Sequence, residues 1–230
     1  MTEFLTALAV FLAAHLVPAI PPLRRRLVRT LGEKTYLASY SALSMILLVW
    51  VIVALLRAPY IHLWTPAPEA YRVTVVLMAP AFILVTAGLL EANPLSVSMS
   101  TAKFDPERPG IGGVTRHPVL WGFGLWAATH AAVNGALAPV VLFGGMTLLS
   151  LGGMAMVDAK RRKQLGAEDW RRLAGPMPVV PFRAVFKWRA EQILTPRTLA
   201  GTAAGLGLYF LFLFWAHRAW FGYDPLGTLA

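Results

Sequence analysis

Apolar stretches long enough to cross a lipid bilayer recur along this chain and limit what it can fold into. A helix needs roughly 17–25 mostly apolar residues to span the hydrocarbon core, and it satisfies its own backbone polar groups there. Six stretches qualify: 2–20, 36–56, 73–90, 118–134, 137–157 and 199–215. We therefore predict an all-α fold, a polytopic membrane helical bundle of about six transmembrane helices.

The composition supports a lipid environment. Hydrophobic residues make up 57% of the chain and charged residues 14%, whereas a soluble domain has about 45–50% and about 25%. The basic residues responsible for the net charge of +10 lie between the apolar stretches. Membrane proteins have basic residues there, next to the lipid headgroups, so we expect membrane lipids and no nucleic acid as partners. The absence of cysteine leaves histidine, methionine and carboxylates to hold any metal or haem.

The positions of lysine and arginine predict the orientation of the helices. Of these 21 residues, 18 follow the first, third or fifth stretch, and the others are Arg57, Arg72 and Arg218. The positive-inside rule places the larger group in the cytoplasm. We therefore expect one domain over residues 1–230, a cytoplasmic basic segment at 158–197, and both termini outside, in the periplasm of a bacterial cell.

Two histidines fall inside predicted spans, where an ionisable side chain is costly and often functional. His15 lies in the first span and His130 in the fourth, whereas His62 and His217 lie at outer span ends. Each intramembrane histidine fits a neutral imidazole bonded to a backbone carbonyl. In a cysteine-free bundle the two also fit a pair of axial haem ligands.

The fourth span has two different faces. At 100° per residue, one face is shared by Phe123, Ala127, His130 and Asn134. The second face is a stripe of small residues, Gly124, Ala128, Ala131 and Gly135. Because such stripes favour close helix packing, the face with His130 and Asn134 is left for a neighbouring helix or for a small hydrophobic or haem ligand.

The fourth span begins with a possible anion site. A proline is favoured at the first helical position, and the residue before it avoids the helical region, so we expect the helix to start at Pro118. Arg116 and His117 would then add to the positive end of this helix, where a carboxylate or phosphate could bind. An arginine that anchors the span to lipid headgroups fits the same residues equally well.

Three segments together resemble the NnrU family of bacterial membrane proteins. They are His15-Leu-Val-Pro18 with its basic exit, the block from Thr115-Arg-His-Pro to Trp121-Gly122, and Leu125 to His130 with Asn134-Gly135. The resemblance covers residues 5–190. It implies a multi-pass protein of the bacterial inner membrane with a role in denitrification, in obtaining active nitrite and nitric oxide reductases, and thus a respiratory-enzyme or oligomeric partner.

The same pattern is similar to plant and cyanobacterial 15-cis-ζ-carotene isomerase, a haem b membrane enzyme. That resemblance implies haem b as cofactor and His15 and His130 as its metal ligands. The isomerase has a cysteine three residues before the second histidine, where this chain has Ala127. A thiolate ligand is therefore not implied here.

A more distant likeness is to isoprenylcysteine carboxyl methyltransferases and phospholipid methyltransferases. These share an Arg-His-Pro at a helix start and a later acidic and basic segment that ends in proline-rich sequence. As an alternative, this implies S-adenosylmethionine bound near Arg116, His117 and Asp158, although their paired glutamates correspond here only to Asp158-Ala159. A haem-dependent isomerase-like enzyme, a methyltransferase and an accessory protein without cofactor all stay open, and no catalytic residue is assigned.

The orientation can be tested with alkaline phosphatase fusions. A fusion after Ala230 should be active, because the positive-inside rule places this end outside the cytoplasm. A fusion within residues 160–197 should be inactive, since the segment should stay inside. The reverse pattern of activities would refute the six-span arrangement.

Overall fold

The computed structural model describes residues 1–16 and 21–227, and within these the secondary structure is helical with no strand. The α-helices are α1 (Thr2–Leu16), α2 (Pro21–Leu31), α3 (Glu33–Leu56), α4 (Pro68–Leu90), α5 (Pro118–Val133), α6 (Leu137–Ala174), α7 (Ala190–Ile193), α8 (Pro196–Leu211) and α9 (His217–Phe221). A π-helix, Phe212–Ala216, joins α8 to α9, and two 3-10 turns lie at Gly110–Gly113 and Val185–Lys187. The predicted all-α class is confirmed.

Among the described residues, four helical segments are long and apolar enough to cross a membrane: α3, α4, α6 and the continuous segment Pro196–Phe221. The helices α1 and α5 have 15 and 16 residues, or about 22–24 Å at 1.5 Å per residue, which is shorter than the hydrocarbon core. The count of six spans and the periplasmic termini therefore stay predictions. Residues 17–20 of the predicted first span, and residues 228–230 at the C-terminus, lie outside the described residues.

Helix α6 is longer than its predicted span. It continues past Val157 to Ala174, with a break in helical geometry at Gly166 (φ 80°, ψ 171°). Hydropathy predicts that the membrane span ends where the charged residues begin. The helix itself can continue beyond that point, because the charged side chains are solvated. This continuation carries Trp170 and Leu173 back against Leu95 and Met177.

The chain divides into two compact units, which are described separately. The first comprises residues 1–64 and 136–142, and its core joins Phe4 and Ala7 of α1 to Val51 and Ala54 of α3. The second comprises 65–135 and 143–230. The single domain expected over residues 1–230 stays a prediction.

In the second unit α4 is the common partner of α5 and α8, and glycines make both contacts. A Cβ atom at Gly122 of α5 would lie 2.7 Å from the carbonyl oxygen of Ala81 in α4. A Cβ atom at Gly205 of α8 would lie 2.9 Å from the Cα of Ile83. The hydroxyl of Thr86 donates a 2.6 Å hydrogen bond to the carbonyl of Gly201, so α8 approaches α4 closely enough for side chain to bond backbone.

The predicted stripe of small residues on α5 does not pack along its whole length against one neighbouring helix. A Cβ atom at Gly124 would lie 3.3 Å from the Cβ of Ser150 in α6, whereas Ala128 is exposed. Of the two glycines within α5, Gly122 makes the closer approach to a neighbouring backbone, on α4. The spacing of small residues along one helix shows that a close helix contact is sterically possible. Which glycine makes that contact depends on the position of the neighbouring helix.

Two alanine substitutions on α8 should separate packing from helix propensity. Gly201→Ala places a methyl group against the backbone of Ala87, so we expect a loss of about 1–3 kcal/mol from overpacking. Gly207→Ala has no heavy atom within 4 Å of the added carbon and should be neutral or slightly stabilising, since alanine is the better helix former. Unfolding in detergent measures both, and equal effects of the two substitutions would contradict the contact.

Candidate functional site

A buried polar cluster lies where α5 begins and comprises Ser96, Arg116, His117 and Asp158. His117 is fully buried, with its Nε2 2.9 Å from Oδ1 of Asp158 and its Nδ1 2.9 Å from Oγ of Ser96. Because a carboxylate can only accept hydrogen bonds, we infer that Nε2 carries the hydrogen and that Nδ1 accepts from the serine hydroxyl. Both ring nitrogens of His117 are therefore satisfied within the protein.

The guanidinium of Arg116 is engaged at every nitrogen. Its Nε donates to both oxygens of Asp158 at 3.1 Å, and its Nη2 donates to Oδ2 of the same carboxylate. Its Nη1 donates to the carbonyl of Met177 at 3.1 Å, and Cζ lies 5.4 Å from the ring centroid of Trp170. Asp158 thus supplies the anion that was expected to come from a cofactor or a lipid.

The segment after α6 is bound to the start of α5 by backbone groups as well. The Arg116 amide donates to the carbonyl of Pro178 at 2.8 Å. The hydroxyl of Thr115 and the indole of Trp121 both donate to the carbonyl of Val179, at 2.7 and 2.8 Å. These bonds hold the Arg-His-Pro block, and the cluster thereby fastens α5 to α6 and to the loop that follows.

Burial sets the protonation of His117. Desolvation lowers the pKa of its imidazole below the usual value of about 6.5, and the Arg116 charge lowers it further, although the Asp158 carboxylate opposes both. The neutral form agrees with the hydrogen bonds, since Nδ1 accepts from Ser96 only when it carries no proton.

The two predicted haem ligands share one hydrogen-bond pattern, each within its own unit. Nδ1 of His15 lies 2.7 Å from the Phe11 carbonyl, and Nδ1 of His130 lies 2.8 Å from the Trp126 carbonyl. Asn134, which caps α5, donates through Nδ2 to the His130 carbonyl at 2.8 Å. A neutral imidazole that donates through Nδ1 keeps the lone pair of Nε2 for another group.

Sequence reasoning missed a buried acid, Glu91, which follows directly after α4. Its Oε2 accepts from the hydroxyls of Thr195 and Thr198, and Thr198 in turn accepts from the Ile111 amide at 3.0 Å. Glu91 is 5% exposed and borders a cavity of about 130 Å³. The only signal in the sequence is the Thr-Pro pair at 195–196, which predicts the capped start of α8 but not its acidic partner.

Metal-ligating side chains do not form larger groups in the part of the chain that the structure describes. No three histidine, aspartate or glutamate residues come together there. Any metal at His15 or His130 would therefore be held by one or two imidazoles, as haem iron is.

The helices and the cluster define a helical, multi-pass membrane protein whose fourth predicted span is anchored by an internal Arg–His–Asp network. The family model NnrU, described as NnrU protein, matches residues 3–225. The chain belongs to this family, as its motifs predicted. No curated protein and no solved structure matches the chain.

The lowered pKa of His117 predicts a pH-dependent stability. Because the folded protein binds a proton here less readily than the unfolded chain, stability should be lost as the pH falls below about 6.5, by up to about 1.4 kcal/mol per pH unit until the folded pKa is reached. His117→Gln keeps a donor for Asp158 but does not titrate. Denaturation between pH 7.5 and 5 should show a shallower decline for the variant, and identical declines would contradict the assignment.

Proposed function

We propose that this NnrU family member binds haem b in the inner membrane through His130 and a second intramembrane histidine, and serves nitrogen-oxide respiration. The carrying observation is the state of the His130 imidazole. Its Nδ1 is fixed by the Trp126 carbonyl at 2.8 Å. In protein metal sites this is the usual arrangement, because the bond at one nitrogen fixes the tautomer and orients the other nitrogen toward the metal.

The surroundings of His130 support an apolar cofactor. The ring lies 5.4 Å from that of Trp126 and 5.2 Å from that of Phe143, measured between centroids. Aromatic side chains at this spacing give an apolar wall that suits a macrocycle such as haem. Bound haem would supply a redox-active iron within the membrane, in keeping with the role that the NnrU resemblance implies.

For the second ligand, the isomerase resemblance supplies His15. This imidazole has the same anchored Nδ1, at 2.7 Å from the Phe11 carbonyl, and it lies beside the ring of Tyr40. The donor chemistry of both histidines therefore fits haem iron.

The methyltransferase alternative has less support from the geometry. It requires Arg116 and His117 to bind an anionic cofactor, and both side chains are bonded to Asp158. A ligand would have to displace a carboxylate that already satisfies them. The alternative stays a prediction, and the haem proposal needs no such displacement.

Absorption spectra of protein purified in detergent from haem-replete cells test the proposal. We expect a b-type spectrum with low-spin bands, because two imidazoles give a strong ligand field. His130→Ala should abolish or convert these bands, and His62→Ala should leave them intact. A wild-type protein that stays colourless after haem supplementation would refute the proposal, and calorimetric binding of S-adenosylmethionine by that protein would favour the methyltransferase.

A further inference from the structure

A second imidazole lies beside His130 in the same unit. His217, the first residue of α9, has its ring centroid 6.4 Å from that of His130, and the two ring planes differ by 32°. In the sequence His217 lies at an outer span end, where a histidine has no predicted role. In the structure it is the histidine that faces the proposed haem ligand.

The two imidazoles are oriented by equivalent hydrogen bonds. Nδ1 of His217 lies 3.0 Å from the Tyr223 carbonyl, just as Nδ1 of His130 lies 2.8 Å from the Trp126 carbonyl. Neither Nε2 atom has a hydrogen-bond partner among the described residues. Each ring therefore holds one nitrogen fixed and keeps the other as an unused ligand atom.

The separation of the rings suits one shared metal. Imidazole nitrogens bind metals such as zinc at about 2.0–2.1 Å, so two of them on one metal lie at most about 4.2 Å apart. A metal reached by two imidazole nitrogens on a nearly straight line places the ring centroids about 6–7 Å apart, since each centroid lies about one ring radius behind its nitrogen. The observed centroid distance of 6.4 Å agrees with one metal between two rings whose Nε2 atoms face each other.

The π-helix Phe212–Ala216 directly precedes His217 and sets the direction in which it points. A π turn holds one more residue than an α turn, and each residue turns a helix by about 100°. Without the extra residue His217 would face away from its present direction by about that angle. Single π turns are frequent at functional sites, and here the turn is followed by an imidazole that lies beside His130 of α5.

The residues around the pair favour a transition metal over a hard cation. Phe221 and Tyr223 contact His217, with centroids at 5.3 and 5.7 Å, and Trp126 and Phe143 contact His130. No acidic side chain joins the two histidines in a metal-binding group within residues 1–16 and 21–227. Imidazoles without carboxylates suit iron, copper or zinc rather than magnesium or calcium.

We propose that His130 and His217 bind one transition-metal centre through their Nε2 atoms, so that His217 rather than His15 completes the pair. If the metal is haem iron, the proposal rests on the proposed function. The same two imidazoles would also bind a single divalent ion without haem. The experiment below distinguishes haem iron from such an ion.

The haem arm compares four alanine variants by absorption spectroscopy. His130→Ala and His217→Ala should each lose the low-spin bands, whereas His15→Ala and His62→Ala should keep them. Added imidazole should restore the bands of His217→Ala, which a merely structural role would not explain. Loss of the bands in His15→Ala with retention in His217→Ala would overturn the inference and leave haem binding by His15 and His130 in place.

The second arm uses haem-free protein and Co²⁺ alone, and it decides the inference if no haem is found. We expect saturable Co²⁺ absorption bands, with affinity reduced by about 10-fold or more in His130→Ala and in His217→Ala. His15→Ala should bind like the wild type. A colourless protein that binds Co²⁺ in this pattern would refute the haem proposal but support the pair, and absent or unaffected Co²⁺ binding by a haem-free wild type would overturn the pair.

Discussion

The structure depends on how helices approach one another where lipid replaces water. Lipid tails are as apolar as leucine, so hydrophobicity does not drive one helix onto another, and close packing of small residues takes its place. In the second unit this role falls to glycines that bring α5 and α8 onto α4, at Gly122 and at Gly201. Because both helices pack on the same partner, His130 of α5 and His217, which follows α8, can come to neighbouring positions.

Polar groups in the second unit fall into two kinds, and the difference suggests where function lies. Arg116 and His117 use all their side-chain nitrogens in hydrogen bonds within the protein. Three of these nitrogens bond to Asp158, one to Ser96 and one to the carbonyl of Met177. Removing one partner of such a mostly buried pair typically costs about 3–5 kcal/mol, so this cluster has a structural role to perform. His130 and His217, by contrast, each use one nitrogen and leave the other unbonded. Unused ligand atoms among aromatic rings are the better candidates for binding.

The sequence predicted the class of fold well because hydropathy is a property of single stretches. It located the C-terminal ends of α3 and α4 and the start of α5 at Pro118. It could not predict that Asp158 reaches Arg116, which lies 42 residues earlier, because that contact depends on how α6 returns beside α5. It also could not predict the π-helix after α8, since a hydrogen bond shifted by one residue leaves no mark on hydropathy. For the same reason the direction of His217 could only come from the structure.

The π-helix at the end of α8 is the clearest local departure from the simplest backbone. A π turn is rare because an α turn satisfies the same backbone groups with better geometry. Here its first residue, Phe212, contacts the rings of Phe82 on α4 and of Trp220 on α9, with centroids at 5.6 and 5.4 Å. These contacts hold the widened turn in place from both sides. If the only requirement were to cross the membrane, a continuous α-helix would meet it, so we infer that the turn serves the position of His217. The π turn is then explained by the imidazole pair that we propose as a metal site, because it positions His217 beside His130.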